Sequence, residues 1–517
     1  MRDWCAGFGH VRFVQAPVGP IVVRSSVQGV RMAHVLIVGG GVAGLATALL
    51  LARRGHTAEV FERDTRAPGT ALDRDFFDWR RTSVPQAAQP HVLLGAARQV
   101  LVTELPDVHA EMLRLGARER HELDWFDVRP PERPGDERLV MIQARRIVLE
   151  SALAGALRAE PGVVTRHGEP VTGLLTAAGA GSGRGGGGAG RGVGGRDAAG
   201  RDGIRVTGVT THAGAYGGDL VVDAGGRRGG CEHRLVDAGC RPWSVERHRT
   251  GLAYFCRWYR LPPGTDEGPR RPWTVTGGGF AGCAVFPADN RLFAVTLFLH
   301  TSDPTRSALR DPAVFEEAAR SFPPGAAWLA LGGEPLSGVL ATASLDNRWS
   351  TLADERGPVV SGLVPVGDAL AHTNPTLGQG TSLALWAARR VARTAHLDPG
   401  STEFAAGHHA WAVRTVKPWF DYQVAADTAI GDRFATRAGR TGTGTARAVA
   451  ALFECALEDP EVMRARAKVR HLAEPPARAY ADPLVRSRVA HWLALRPGFL
   501  PHDAGPDRAH WERLTAG

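Results

Sequence analysis

His34-Val-Leu-Ile-Val38, followed at once by Gly39-Gly-Gly-Val-Ala-Gly44, decides how this chain folds. The short continuous apolar run suits a strand buried on both faces of a parallel sheet. Leu45–Arg54 then reads as a helix ended by Gly55, and Ala58-Glu-Val-Phe-Glu62 as a second short strand. The unit is strand, glycine turn, helix and strand within about thirty residues, with an acid at its far end. In that context the glycines have separate tasks. Gly39 permits the tight turn, Gly41 lets the backbone approach a pyrophosphate, and Gly44 lets helix and strand pack closely. Val42 and Ala43 lie at the helix N-terminus, whose unpaired N–H groups and partial positive charge favour phosphate. Glu62 is placed to accept hydrogen bonds from a ribose diol. That acid suits FAD or NAD and fits poorly with the 2′-phosphate of NADP. His34–Ala52 has the length of a membrane span, but its glycines belong to the nucleotide turn and no transmembrane segment is expected.

Working outward, the chain has 517 residues, 44% hydrophobic and 22% charged, which excludes a wholly disordered or fibrous protein. Six scattered cysteines without a CxxC pair argue against a disulfide scaffold or a cysteine zinc site, and fit a reducing cytoplasm. The formal charge is +9, and every basic residue except Lys417 and Lys468 is arginine. No basic run carries interleaved aromatics, so no nucleic-acid partner is expected. His408-His409 lacks metal-ligand spacing and no HExxH accompanies it, so no metal is assigned. Residues 1–31 carry scattered arginines and no continuous apolar segment. They read as a poorly ordered leader rather than a secretory signal.

Farther along, Arg146–Arg158 has helical spacing, and Val163–Arg166 and Val171–Thr176 read as strands. Residues 179–203 are about half glycine and cannot bury apolar area. A mobile insertion in a hairpin is expected there, since strand patterning resumes at Ile204–Thr211. Asp219-Leu-Val-Val-Asp223 and Leu363–Val366 are further buried-strand candidates. Tyr254–Leu261, Cys283–Phe286 and Leu292–Leu299 suggest an antiparallel sheet. Leu383–Leu397 reads as a helix, and the chain reads as helical from 401 onward. The expected architecture is α/β: a Rossmann-like nucleotide-binding domain over 32–250 and 350–400, an antiparallel substrate sheet over 251–349, and a helical extension over 401–517.

Several motifs stand in a telling order: Glu62-Arg63, Arg146 opening a helix with Leu149 and Glu150 behind it, Asp219-Leu-Val-Val-Asp-Ala-Gly-Gly-Arg227, and Gly367-Asp-Ala-Leu-Ala-His-Thr-Asn-Pro375-Thr-Leu-Gly-Gln-Gly380. Together they resemble the FAD-dependent monooxygenases of the para-hydroxybenzoate hydroxylase superfamily, over roughly residues 33–400. Arg80-Arg-Thr-Ser-Val-Pro-Gln86 with Gln89-Pro-His91-Val-Leu-Leu94 looks closer to a bacterial subgroup that includes polyether-pathway epoxidases. The resemblance implies FAD as cofactor, with Gly39, Gly41 and Gly44 at its pyrophosphate and Glu62 at its adenosine ribose. It implies Arg63 near the adenine end, Arg146 along the ribityl–pyrophosphate stretch, and Asp368 on the ribityl chain. Pro375 and Gly378-Gln379-Gly380 would border the flavin ring, at a helix N-terminus that favours negative charge on reduced flavin. One departure is the Asp-Gly dipeptide usual after the middle strand, which here reads Gly225-Gly226, with Gly229 in place of the serine that often follows. NAD(P)H is therefore expected as electron source either directly or through a separate flavin reductase.

The implied chemistry belongs to the cofactor: reduced flavin and O2 form a C4a-hydroperoxide that epoxidises an alkene or hydroxylates an activated ring. The protein's task is to hold an apolar natural-product intermediate and exclude water, which leaves no catalytic residue to name. Arg81, His91, Tyr254, Trp258, Phe286, His372 and Asn374 are candidates for lining the substrate site. Flavin-dependent halogenases share the implied fold, but the two lysines lie far along the chain and no WxWxIP motif is present, so halogenation is not expected. A flavin-dependent reductase or dehydrogenase of a lipid-like substrate, and a non-catalytic flavin-binding protein, are the competing readings.

Overall fold

The computed structural model describes residues 32–79, 81, 84, 86–178, 203–343, 345–436, 444–500 and 503–516. The expected leader over 1–31, and the glycine tract expected over 179–203 up to its last residue, lie outside them. His34–Val38 sits at the centre of a five-stranded parallel sheet in the order Leu363–Pro365, Leu220–Asp223, His34–Val38, Thr57–Glu62, Val163–His167. Its side chains alternate between two cores. Val35 and Ile37 pack with the helices Val42–Ala52, Arg146–Arg158 and Gly380–Thr394, while Leu36 and Val38 pack with Val206, Val209, Val221 and Cys231. Burial on both faces is why the sequence is continuously apolar there. Each such side chain contributes roughly 1.5–3 kcal/mol.

The helix Val42–Ala52 rides directly on the turn before it. A Cβ at Gly44 would stand 1.9 Å from the Gly39 carbonyl oxygen. Gly39 itself has φ +106°, a conformation open to glycine and few others.

A second, antiparallel sheet runs in the order Val275–Gly277, Ala281–Pro287, Leu292–His300, Leu252–Arg260, Glu334–Pro335, with Leu340–Ala343 also paired to Leu252–Arg260. Here the period of two is plain. Phe255 and Tyr259 enter a core closed by the helices Pro312–Arg320 and Pro323–Leu329, whereas Cys256 and Trp258 point into the main core. The helices Thr402–Thr415, Lys417–Thr436, Gly444–Ala456, Pro460–Arg470 and Pro483–Ala494 add Phe404, Phe420, Leu452, Met463 and Trp492 to that same main core. Ser401, Asp459 and Asp482 cap three of them by accepting first-turn N–H bonds. No helix among the described residues is long and apolar enough to cross a membrane.

Most predicted strands are present with shifts of a residue or two. The strands flanking the glycine tract pair antiparallel, with Ala178 opposite Ile204. Segment 72–143 contains what the sequence reading left without elements: helices Leu72–Asp78, Gly95–Glu104 and Pro106–Arg114, and a small sheet of Val92–Leu93, Arg118–His121 and Val140–Gln143. These pieces are short and rich in charge, so neither period registers over a useful window.

A buried ion pair ties a turn of the antiparallel sheet to the start of the helix Arg146–Arg158. Arg145, just before the helix Arg146–Arg158, donates through Nη2 to Asp289 Oδ2 at 2.6 Å, and its backbone N–H donates to Asp289 Oδ1 at 2.7 Å. Both side chains are fully buried, while the second acid on Arg145, Asp73, is half exposed. Replacing Asp289 by Ala strands a buried guanidinium and should cost about 3–5 kcal/mol in equilibrium urea unfolding. Asp73→Ala should cost less than about 1 kcal/mol. Equal losses for the two variants would contradict this account of the joint.

Candidate functional site: the glycine turn and the 367–380 segment

The ends of three parallel strands meet at the glycine turn. Ala224 N–H donates to the Val38 carbonyl at 2.9 Å, and Val366 N–H to the Asp223 carbonyl at 2.9 Å. A Cβ at Gly39 would stand 2.6 Å from the Ala224 oxygen, and one at Gly367 would stand 2.8 Å from the Ala43 Cβ. Gly367-Asp368 therefore touches the first turn of the helix Val42–Ala52, and the helix Gly380–Thr394 packs along that helix. Gly367, more than three hundred residues farther along the sequence, thus lies against Ala43 of the glycine turn.

Glu62 closes the other side of the turn. It is buried, and accepts the Gly40 N–H at 2.6 Å and the Asp64 N–H at 2.8 Å. Its first duty is thus to hold the turn, which leaves its remaining lone pairs for a diol. Arg146 donates to Glu150 at 2.8 Å, and its Nη2 lies 3.2 Å from where a Gly41 Cβ would be. Burial pushes Glu150 up, but Arg146 and Arg81 together hold its carboxyl below the usual range. Arg63, just after the strand, is exposed.

Arg81 is held by two acids. Its guanidinium ion-pairs with Asp64 and Glu150, at the Glu62 end of the turn. His91 is half-buried with Nδ1 2.8 Å from the Gln89 carbonyl. Desolvation, helped by the Arg146 charge, pushes its imidazole down to about 4. A Cβ at Gly378 would lie 3.5 Å from Val92, so the 89–94 segment runs against the 375–380 loop.

That loop is held from below. Asn374, fully buried, accepts the Tyr254 hydroxyl at 2.9 Å and donates through Nδ2 to Thr376 Oγ1 at 2.9 Å and to Asp427 Oδ1 at 3.0 Å. Pro375 is exposed, and Gly378 turns the chain with φ +68°. His372, buried, shares 2.8 Å with the Asp346 carbonyl. Phe286 packs half-buried against the main core. Trp258 is fully buried, donates Nε1–H to the Ala88 carbonyl at 2.9 Å and meets Phe76 edge-on. Asn347, Thr376, Gln423 and Asp427 were not found by sequence reasoning. A single acid on a helix carries no local signal that it is buried.

FAD can be tested against these residues. The helices Val42–Ala52 and Gly380–Thr394 both begin without a side-chain cap and without an acid in the first turn, leaving their N–H groups for an anion. The space above Gly41 holds nothing but the Arg146 guanidinium, and Gln379 Oε1 is buried with no partner. The free N–H groups and the Arg146 guanidinium suit a diphosphate, and the Gln379 oxygen suits an N–H donor on a polar ring edge. Two cavities open elsewhere: about 650 Å³ bounded by Arg66, Arg74, Asp75 and Trp79, and about 510 Å³ bounded by Trp386, Arg389, Arg390 and Trp411. Neither is lined by a predicted site residue.

The glycines make a discriminating experiment. Gly44→Ala collides with backbone and should lower stability by at least the ~1–3 kcal/mol typical of overpacking. Gly41→Ala, with φ −81° and only a side-chain end nearby, should keep the wild-type melting temperature of the FAD-free protein yet lose FAD affinity tenfold or more. A Gly41→Ala protein with wild-type affinity would exclude the diphosphate from this turn. His91 supplies a second test. Its folded pKa lies below the unfolded ~6.5, so the unfolded chain protonates first. The group's contribution to stability is intact above about 6.5 and is lost as pH falls towards about 4. NMR of the ring nitrogens should give a midpoint near 4, and one near 6.5 would mean the 89–94 segment is open to water.

Comparison with known proteins agrees with this geometry. A family model described as "FAD dependent oxidoreductase" matches residues 34–76, the turn and its two strands. Protein Rv3254 of Mycobacterium tuberculosis is 25% identical over 381 residues, covering 68% of this chain and 70% of that protein. Among solved structures, PqsL of Pseudomonas aeruginosa, a probable FAD-dependent monooxygenase, superposes with TM-score 0.55 at 19% identity, over 79% of this chain and 99% of its own. CmlS, a flavin-dependent halogenase, does so with TM-score 0.52 at 16% identity, over 94% of this chain and 77% of its own. The chain thus has the α/β fold of PqsL and CmlS, and it opens with a nucleotide-binding unit that matches the FAD dependent oxidoreductase model.

Proposed function

We propose that this protein is an FAD-dependent monooxygenase that epoxidises or hydroxylates an apolar small molecule, with O2 as co-substrate and NAD(P)H as the electron source, directly or through a separate reductase. The observation that carries the proposal is the contact of Gly367 with Ala43, which sets the segment leading to the uncapped helix Gly380–Thr394 against the first turn of the uncapped helix Val42–Ala52. FAD, when bound, supplies the redox chemistry. The chain supplies the rest. The amides of 41–44 bind the diphosphate, with Arg146, oriented by Glu150, beside it. Asp368 binds the ribityl chain. Pro375 and Gly378–Gly380 border the ring, and His91, Tyr254, Phe286, His372 and Asn374 stand near it. The antiparallel sheet turns its Cys256–Trp258 face toward the nucleotide-binding core, so it acts as the cover that keeps water out. We assign 32–250 and 350–400 to the FAD domain, 251–349 to that cover and 401–517 to helices supporting both, in a cytoplasmic enzyme.

The test is a purified, reconstituted protein and its visible spectrum, followed by anaerobic reduction and mixing with O2 in the presence of apolar polyenes and phenols. The expected result is a yellow protein whose reoxidation is accelerated by one of them, with one ¹⁸O atom from labelled O2 in the product. A product without label would replace this reading by a reductase or dehydrogenase. FAD bound with no substrate response would point to a non-catalytic flavoprotein, and a protein that takes up no FAD would end the proposal.

A further inference from the structure

Beneath the 374–380 loop lies a carboxylate that the reaction as proposed does not call for. Asp427, on the helix Lys417–Thr436, is 1% exposed. It accepts four hydrogen bonds: from Asn347 Nδ2 at 2.7 Å and Gln423 Nε2 at 3.0 Å on Oδ2, and from Asn374 Nδ2 at 3.0 Å and the Thr376 hydroxyl on Oδ1. All four donors are neutral, and no arginine, lysine or histidine pairs with it among the described residues. Burial pushes the carboxyl up, against those four donors.

An acceptor-only group with every lone pair used sets the direction of everything around it. Because Asn374 and Asn347 must both turn their NH2 groups toward Asp427, their carbonyl oxygens point the other way. There Asn374 Oδ1 accepts the Tyr254 hydroxyl at 2.9 Å, and Asn347 Oδ1 accepts the Asn374 backbone N–H at 2.7 Å. Thr376, whose hydroxyl donates to Asp427, accepts Asn374 at 2.9 Å and Gln423 at 2.8 Å. One side chain thereby fixes the strand Asn347–Ser350, the strand bearing Tyr254, and both residues that lead into the helix Gly380–Thr394. Apolar residues of equal volume would fill this space at less cost, since burying a carboxylate without a cation is expensive. The network has a purpose if the loop above it must hold one shape.

We propose that Asp427 is a positioning residue for the flavin-facing loop: acting through Asn374 and Thr376, it fixes the loop that carries Gly378–Gly380 and so the environment of the ring. This rests on the FAD reading above. Three variants test it: Asp427→Asn, Thr376→Val and Thr376→Ser. In Asp427→Asn an N–H group must face one of the two donor pairs whichever way the amide lies. Thr376→Val deletes one hydroxyl, and Thr376→Ser restores it. Asp482→Ala, which removes the cap of the distant helix Pro483–Ala494, controls for stability loss alone. The readouts are FAD affinity by fluorescence titration, the visible circular dichroism of bound flavin, and its midpoint potential.

Asp427→Asn and Thr376→Val should each weaken FAD binding at least tenfold and alter the flavin dichroism and potential. Thr376→Ser should lie within twofold of wild type, and Asp482→Ala should leave all three readouts unchanged. Should Asp427→Asn fail to fold, the Thr376 pair decides by the same criteria. If the folded variants bind FAD with wild-type affinity, dichroism and potential, Asp427 is structural only and the proposal fails while the FAD reading stands. If wild-type protein itself takes up no FAD, both fail.

Discussion

The close approach of Gly44 to the Gly39 carbonyl is the constraint on which the rest depends. Because no Cβ fits there, the helix after the first strand starts directly over the sheet edge. Its N-terminal amides then emerge where the strands Leu220–Asp223 and Leu363–Pro365 also end. A parallel sheet collects its strand ends at one edge, and the glycine turn makes that edge approachable by a phosphate. Move the helix outward by a methyl group and the contact between Ala43 and Gly367 would open, separating the two halves of the cleft.

Charge completes what the backbone begins. Along one side of the turn Glu62 braces two amides, and Arg81 links Asp64 to Glu150, which in turn orients Arg146. The chain of alternating sign leaves the Arg146 guanidinium beside Gly41 while its neighbours are neutralised. In the proposed reading a diphosphate there would meet an arginine already held in place, so less side-chain entropy would be lost on binding. The partly desolvated His91 across the cleft stays neutral at physiological pH and adds no competing charge.

The helices after residue 401 are more than a cap. They share the main hydrophobic core with the nucleotide-binding elements, and one of them delivers Asp427 to the underside of the 374–380 loop. Folding of this region and order in the loop are therefore coupled. The buried Arg145–Asp289 pair plays a comparable part on the opposite side, tying the antiparallel sheet to the helix that carries Arg146. Polar groups buried at such joints specify geometry where apolar packing would tolerate sliding.

The parallel sheet, the glycine turn, the helix Arg146–Arg158 and the three long strands of the antiparallel sheet were legible in the sequence. Burial on both faces, on one face or on a helical stripe each writes its own period. The motif residues Gly39–Gly44, Arg146 and Gly367–Gly380 could be named as a set, but nothing local says that they touch. That required the sheet order, which inserts Leu220–Asp223 between His34–Val38 and Leu363–Pro365. Tertiary structure alone assigned Arg81 to Asp64 and Glu150, sank Trp258 into the core, and brought Asp427 under Asn374. An arginine, a tryptophan or an aspartate looks the same along the chain whether it faces solvent, core or a cleft. Periodicity records which face of an element is apolar, whereas the partner of a polar side chain is chosen by whichever distant segment folding sets against it.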